Sequence, residues 1–338
     1  MTPGATLVAS LLIALARPRT WPLALATFLL RGGFLVVLAP IVVLPSAVAL
    51  SNVLTPLLST VVFRGYASIA LPLLGIGLGA LLWLCGGGLV AAAAESEQVR
   101  TIAAEDDAWP AGRVPGGLDP AEHPAPRVLT VRLIAHLPLL LALSWGAIRI
   151  VAVTYRELTV PTDVALAIVL RVARGAPDAV AVVVGAWIVG EAIGGIAARR
   201  VVMLRERIPR ALGRAVIYLV RHPLRCTVLA AVPLAALVLV LVAIGLAGSA
   251  TWDALRSALS FDDGPVTSVA FLVALVALFG GGLLLIGVLS AWRAAVWTVE
   301  LARTFGGASY DPEGPWHAGN DSGTLHDLRP RKVDSDPR

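Results

Sequence analysis

Two opposite charges lie deep within apolar stretches of this 338-residue chain. Arg31 follows Trp21 by ten residues, which is about 15 Å at helical rise and therefore near the middle of a ~30 Å hydrocarbon layer. Glu191 precedes Arg200 by nine residues, or ~13–14 Å from the same membrane edge. Each charge alone costs ~2.5–3.5 kcal/mol at the bilayer centre, so their matched depth predicts an intramembrane ion pair between Arg31 and Glu191.

This predicted pair has two interpretations. The structural one is a buried bridge that fixes the order of the helices, and it is the one we favour. The functional one is a gate, a proton-linked carboxylate or a contact with substrate, because intramembrane ionisable groups often mark such sites.

The composition requires a membrane. Hydrophobic residues make up 57% of the chain, charged residues only 14%, and the mean hydropathy is +0.83, whereas a soluble domain carries roughly 25% charged residues. All basic residues except Lys332 are arginines, which together with abundant Ala, Gly, Val and Leu suggests a GC-rich bacterial genome. The net charge of +5 fits arginine-rich inner loops better than nucleic-acid binding.

The apolar runs predict an all-α integral membrane protein with six transmembrane helices, occupying residues 1–303. A polar loop at 104–127 and a tail at 304–338 are rich in Pro, Gly and charge, and are predicted to be flexible and disordered, respectively. The predicted spans are 22–47, 68–94, 133–155, 178–200, 226–248 and 267–292.

Loop charges predict the orientation. Eight arginines and a single acid, Glu206, lie from the last two residues of the fourth span to the start of the fifth, whereas three of the four charges between the fifth and sixth are aspartates. The positive-inside rule then places both termini in the cytoplasm and the protein in a bacterial plasma membrane. The first apolar segment is not expected to be a cleaved signal peptide, because no positive charge precedes it.

Similar stretches recur three times along the chain. Short apolar segments meet a basic or histidine residue and a proline before Trp21, around Pro138 and around Pro223, and small residues lead into charge at the end of each even-numbered span. The sequence therefore predicts three repeated units, each an interfacial helix followed by a helical hairpin.

The connection after the fourth span best fits an interfacial helix. Apolar residues at helical spacing occupy one side and arginines another, so the helix is expected to lie among anionic lipid headgroups. The candidate headgroup contacts are Arg205, Arg207, Arg210 and Arg214.

Glycines at four-residue spacing occur in two of the spans. Gly75 with Gly79, and Gly190 with Gly194, have the spacing that lets helix backbones approach closely, so we assign them to helix packing. A hinge for alternating access is the alternative for these glycines.

No motif is specific enough to name a family or a catalytic site. Nucleotide-loop, zinc-protease and hydrolase patterns do not occur in the sequence, so no catalytic residue, cofactor or metal is predicted. The favoured function is a non-catalytic bundle that organises protein partners or lipids. The alternatives are a transporter or permease that uses Arg31 and Glu191 and, less favoured, a lipid-handling enzyme.

Overall fold

In a computed structural model of the chain, residues 2–38, 67–104, 124–161, 163, 166, 168–261 and 265–307 are described. Almost all of these residues are helical, and no strand occurs among them. Trp83–Gly87 forms a five-residue π-helical turn, and Leu29–Gly33 is a kinked segment in which Arg31 and Gly32 have non-helical backbone angles. The α-helices are α1 (Pro3–Ala16), α2 (Thr20–Phe28), α3 (Phe34–Leu38), α4 (Ala67–Leu82), α5 (Gly88–Ala103), α6 (Ala125–Ala135), α7 (Leu137–Thr159), α8 (Ile168–Gly175), α9 (Pro177–Leu204), α10 (Ile208–Arg221), α11 (Pro223–Phe261) and α12 (Pro265–Gly307).

Six helical stretches among the described residues are long and apolar enough to cross a membrane. They overlap the six predicted spans, although several extend beyond the predicted ends, since polar residues continue the helices past the apolar runs. The end of the first predicted span, at 39–47, lies outside the described residues. The six stretches are Thr20–Leu38, Ala70–Ala103, Leu137–Thr159, Pro177–Leu204, Pro223–Ser260 and Val266–Thr304.

Prolines set where two of the long helices begin. The chain leaves helical geometry at His136 (φ −96°, ψ 5°), and Pro138 lies in the first turn of α7. It does so again at His222 (φ −129°, ψ 52°), immediately before Pro223 opens α11. A proline lacks the backbone donor and disfavours helix at the preceding residue. The third predicted span therefore begins at Leu137 instead of 133, because residues to Ala135 belong to the separate helix α6.

The apolar core joins the C-terminal parts of α5, α9 and α12 with the short helices α1, α2, α6 and α10 and with the beginning of α11. Ile102 of α5, Ile196 of α9 and Leu301 of α12 are each fully buried there, together with residues from α1, α6 and α10. The N-terminal parts of α9 and α12, and α4 ahead of α5, instead carry exposed apolar side chains, such as Leu71 of α4 at 76% exposure. Apolar surface of this kind is what a hydrocarbon environment accepts.

A glycine turns the chain beside Arg31. Gly32 has φ +98°, a left-handed conformation that side chains with a Cβ rarely adopt, and Arg31 departs from helical angles with ψ +18°. Glycine adopts this conformation without the steric cost of a Cβ. The resulting break between α2 and α3 aims the Arg31 side chain at its neighbours.

The N-terminal helix lies against the last one. The Trp292 indole Nε1 donates to the Leu7 carbonyl at 3.1 Å and lies 3.2 Å from Ser10 Oγ. The Thr6 hydroxyl donates to Glu300 at 3.2 Å. Because Thr6 and Ser10 have no exposed surface, α1 is an integral part of the core.

Candidate functional site

Six charged side chains meet inside the helical packing, and we call them the six-charge cluster. They come from the kinked segment after α2 and from α5, α6, α9 and α12, so five separate parts of the chain hold the group together. Its members are Arg31, Glu95, Arg132, Glu191, Arg199 and Arg293.

Glu95 is the most enclosed carboxylate of the cluster, with 3% of its side chain exposed. Arg31 Nη2 donates to it at 2.5 Å, and Arg199 Nη1 donates at 3.3 Å. Arg132 donates through two nitrogens, with Nε at 3.1 Å and Nη2 on the other carboxylate oxygen. Bidentate arginine–carboxylate contacts are strong and directional, so Glu95 joins three otherwise separate segments.

Glu191 is the second carboxylate of the cluster. Its Oε2 accepts a hydrogen bond from Arg132 Nη1 at 2.7 Å. Its Oε1 lies 3.6 Å from Arg293 Nη2 and 3.8 Å from Arg31 Nη1. The structure thus brings Arg31 and Glu191 within ion-pair distance, but the short contact of Arg31 is with Glu95.

Small residues on α9 make room for this arrangement. A Cβ on Gly190 would lie 3.0 Å from the Ala135 carbonyl oxygen, and one on Gly194 would lie 3.1 Å from the Arg132 side chain. These two glycines therefore let α6 approach α9 closely, and this approach brings Arg132 of α6 to Glu191 of α9.

The other predicted glycine pair is placed differently. A Cβ added at Gly75 or Gly79 would meet no heavy atom within 4 Å among the described residues. Their four-residue spacing puts them on one face of α4, and that face packs against no described helix.

The predicted headgroup arginines fall into two groups. Arg205, Arg207 and Arg210 are exposed. Arg214 instead donates to Glu206 at 2.5 Å, and that carboxylate also accepts two hydrogen bonds from Arg200, at 2.8 and 2.9 Å.

The Glu206 carboxylate lies between the ends of α9 and α10. Although burial acts to raise the pKa of Glu206, the hydrogen bonds and charges of Arg200 and Arg214 outweigh it, and they hold the pKa below the ordinary value. This carboxylate therefore links the two helices in its ionised form.

A second polar group surrounds Glu300. Its carboxylate accepts hydrogen bonds from Thr6, from the Tyr218 hydroxyl at 2.7 Å and from Arg225 at 2.8 Å. Burial raises the pKa of Tyr218, and the hydrogen bond to Glu300 raises it further. This group ties α1, α10 and α11 to α12.

Sequence reasoning missed four of the six cluster members. Glu95 opens the polar run ESEQVR, which reads as a solvent-exposed helix end, and Arg199 and Arg293 read as inner-edge charges. One available signal was the helical spacing of buried Ala91, Glu95 and Val99, which puts the acid on an apolar face. Arg132 offered no comparable signal.

Comparison with known protein families, with curated proteins and with solved structures finds no match to this chain. Among the described residues, no three His, Cys, Asp or Glu side chains are grouped so as to hold a metal ion. The chemistry of the site is that of four guanidinium groups held around two carboxylates.

Proposed function

We propose that this chain is a non-catalytic bundle that organises anionic lipids at the membrane surface next to α10. The six-charge cluster and the Glu300 group hold the bundle together, and the exposed side of α10 does the binding. The proposal is supported by the packing of α10, which buries one side of this helix against the core and leaves the other side exposed.

The observation that carries the proposal is the two-sidedness of α10. Ala211 and Ala215 are fully buried against the core, whereas Arg210 of the helix and Arg207, the residue just before it, are exposed. Exposed apolar side chains accompany these arginines, among them Val220 at 72% exposure. Arginines beside exposed apolar residues on one helix suit a headgroup layer, where the charge contacts lipid phosphate and the apolar part enters the acyl boundary.

The test compares lipid selection by wild type and by an Arg207→Gln/Arg210→Gln variant. Both are reconstituted in vesicles with equal phosphatidylglycerol and phosphatidylcholine, extracted in mild detergent, and the retained lipids are counted by mass spectrometry. Each arginine near an anionic surface contributes about 1 kcal/mol, so the variant should lose roughly tenfold or more in its preference for phosphatidylglycerol.

The matched control is Arg149→Gln/Arg256→Gln, which removes two exposed arginines remote from α10. This control should select lipids as wild type does. Equal lipid selection by wild type and both variants would overturn the proposal, as would a loss of selection in the control alone.

We also propose the finer topology, with three units of short helix and helical hairpin, both termini cytoplasmic, in a bacterial plasma membrane. The order of short and long helices supports the three units, and the arginines between α9 and α11 support the orientation. Single cysteines at 207 and at 256, in a chain lacking Cys85 and Cys226, should react with a membrane-impermeant thiol reagent from opposite sides.

A transporter is the second candidate. The observation in its favour is that Arg31 and Glu191 are partly exposed, at 29% and 19% of their side chains. A proton-linked carboxylate at this position would give vesicles a proton flux that Glu191→Gln abolishes. The lipid-organising function predicts that vesicles with wild type and with this variant have the same flux.

A further inference from the structure

The charges of the six-charge cluster do not balance. Four guanidinium groups surround two carboxylates, which gives the side chains a net charge of +2. Among the described residues, every ion pair of these four arginines is made with Glu95 or Glu191. Like charges repel strongly in a low-dielectric interior, so the cluster attracts a further anion.

The cluster has a closed side and an open side. On the closed side Glu95 and Arg199 each expose 3% of their side chains, and Arg132 exposes 11%. On the open side Arg31 and Arg293 expose 29% and 28%. We call this open side, formed by Arg31, Glu191 and Arg293, the arginine notch.

The notch holds unused hydrogen-bond donors. Among the described residues the Arg293 guanidinium donates no hydrogen bond, and its nearest carboxylate contact is Glu191 Oε1 at 3.6 Å. Arg31 Nη1 lies 3.8 Å from the same oxygen. Two guanidinium groups beside one oxygen are close enough for a single small anion to bridge them.

We propose that the arginine notch binds one phosphate group, with Arg31 and Arg293 donating to its oxygens. Guanidinium groups match the geometry of phosphate oxygens and bind them with paired hydrogen bonds. A bound phosphate offsets the excess positive charge. Arg132 holds Glu191 Oε2 at 2.7 Å, so only Oε1 of this carboxylate faces the two guanidinium groups of the notch.

A phospholipid headgroup or a soluble phosphate supplies the same chemistry. The surroundings favour the lipid, because exposed apolar side chains precede Glu191 on its own helix face. Val184, Trp187 and Ile188 lie seven, four and three residues before it and expose 46%, 36% and 40% of their surface. An acyl chain fits along such a face while its phosphate reaches the notch.

The test is a titration of the delipidated full chain in mild detergent, read by native mass spectrometry and by the unfolding temperature. The probes are dihexanoyl phosphatidylglycerol, inorganic phosphate, and dihexanoylglycerol as the phosphate-free control. Saturable binding of one phosphatidylglycerol per chain is expected, with no binding of dihexanoylglycerol. Binding of inorganic phosphate with equal affinity would identify a soluble ligand instead of a lipid.

Two variants separate a binding role from a structural one. Arg293→Gln should weaken phosphatidylglycerol binding at least tenfold, whereas Glu191→Gln should strengthen it, because it raises the net charge to about +3 by removing one carboxylate. If the cluster only holds the helices together, both substitutions should lower the unfolding temperature and neither should change the affinity for phosphatidylglycerol. Arg256→Gln, an exposed arginine at the far end of α11, is the control and should bind as wild type does.

Wild-type binding that survives Arg293→Gln unchanged, or that Glu191→Gln weakens, would overturn the proposal. Should Arg293→Gln fail to fold, the direction of the Glu191→Gln effect decides alone. This proposal does not depend on the surface of α10. The Arg207→Gln/Arg210→Gln variant should keep the single-site titration unchanged, so the failure of one proposal is distinguishable from the failure of the other.

Discussion

At the scale of single residues, the cluster shows how a membrane-spanning fold accommodates buried charge. Glu95 is nearly inaccessible, yet it accepts hydrogen bonds from three arginines on three different segments. Burying a charge is costly unless it is paired and hydrogen-bonded. Glu95 therefore stabilises the fold only as part of the whole group. If it is removed, the remaining arginines repel one another with less negative charge between them.

We expect Glu95→Gln to destabilise the bundle by about 3–5 kcal/mol, the usual cost of breaking a buried pair by removing one partner. Thermal or denaturant unfolding in detergent measures the loss. Glu97→Gln is the matched control, because Glu97 lies two residues away on the same helix with 60% of its side chain exposed. The control should stay within about 0.5 kcal/mol of wild type. Similar losses in both variants would show that Glu95 has no special role.

The cluster also shows what residue-level reasoning from sequence achieves. Counting helical rise from a common membrane edge put Arg31 and Glu191 at one depth, and the two side chains lie 3.8 Å apart. The same counting did not find Arg132, because its partners become visible only when α6 folds back against α9. Membrane depth is a one-dimensional quantity. It shows which charges lie at the same depth, but it does not show which of them form ion pairs.

At the scale of elements, the ends of helices decide the packing. The six long helices follow from apolar runs that exceed membrane thickness, and the breaks at His136 and His222 follow from the prolines after them. The close approach of α6 to α9 depends on Gly190 and Gly194, whose spacing indicated packing without naming the partner helix. The spacing of Gly75 and Gly79 gave the same indication, although that face of α4 meets no described neighbour.

The contact between the end of α9 and the start of α10 should respond to acid through Glu206. The folded-state pKa of Glu206 lies below the ordinary value of 4.5, so the ionised carboxylate stabilises this contact fully above about pH 4.5. That contribution is lost as the pH falls through the lowered pKa and Glu206 becomes protonated. The unfolding temperatures of wild type and Glu206→Gln should therefore differ at pH 7 and converge on acidification. A difference that stays constant down to pH 3 would contradict this account.

At the scale of the whole molecule, helices α1 and α12 pack against each other although they are far apart in the sequence. Composition and apolar runs predicted a six-span helical protein, and six helical stretches of suitable length and hydropathy are present among the described residues. The docking of α1 on α12 did not follow from the sequence, because α1 is apolar on all sides. Its hydrogen bonds with α12 involve Thr6, the Leu7 carbonyl and Ser10, which meet Glu300 and Trp292.

This packing predicts that the N-terminal helix is needed for the stability of the distant C-terminal one. Deleting residues 2–16 removes the Thr6 hydrogen bond from Glu300 and uncovers the Trp292 indole, whose N–H then loses its two acceptors. Each lost hydrogen bond to a charged or buried group costs about 1–3 kcal/mol, so the unfolding temperature should fall and the fluorescence of Trp292 should shift to longer wavelength.

Trp292→Phe tests the same contact more gently, because it keeps an aromatic ring and removes the N–H donor. Removing residues 308–338, which follow α12, controls for truncation itself and should leave both readouts unchanged. If deletion at the N-terminal end changed them no more than this control, α1 would be an accessory segment instead of an element that stabilises α12.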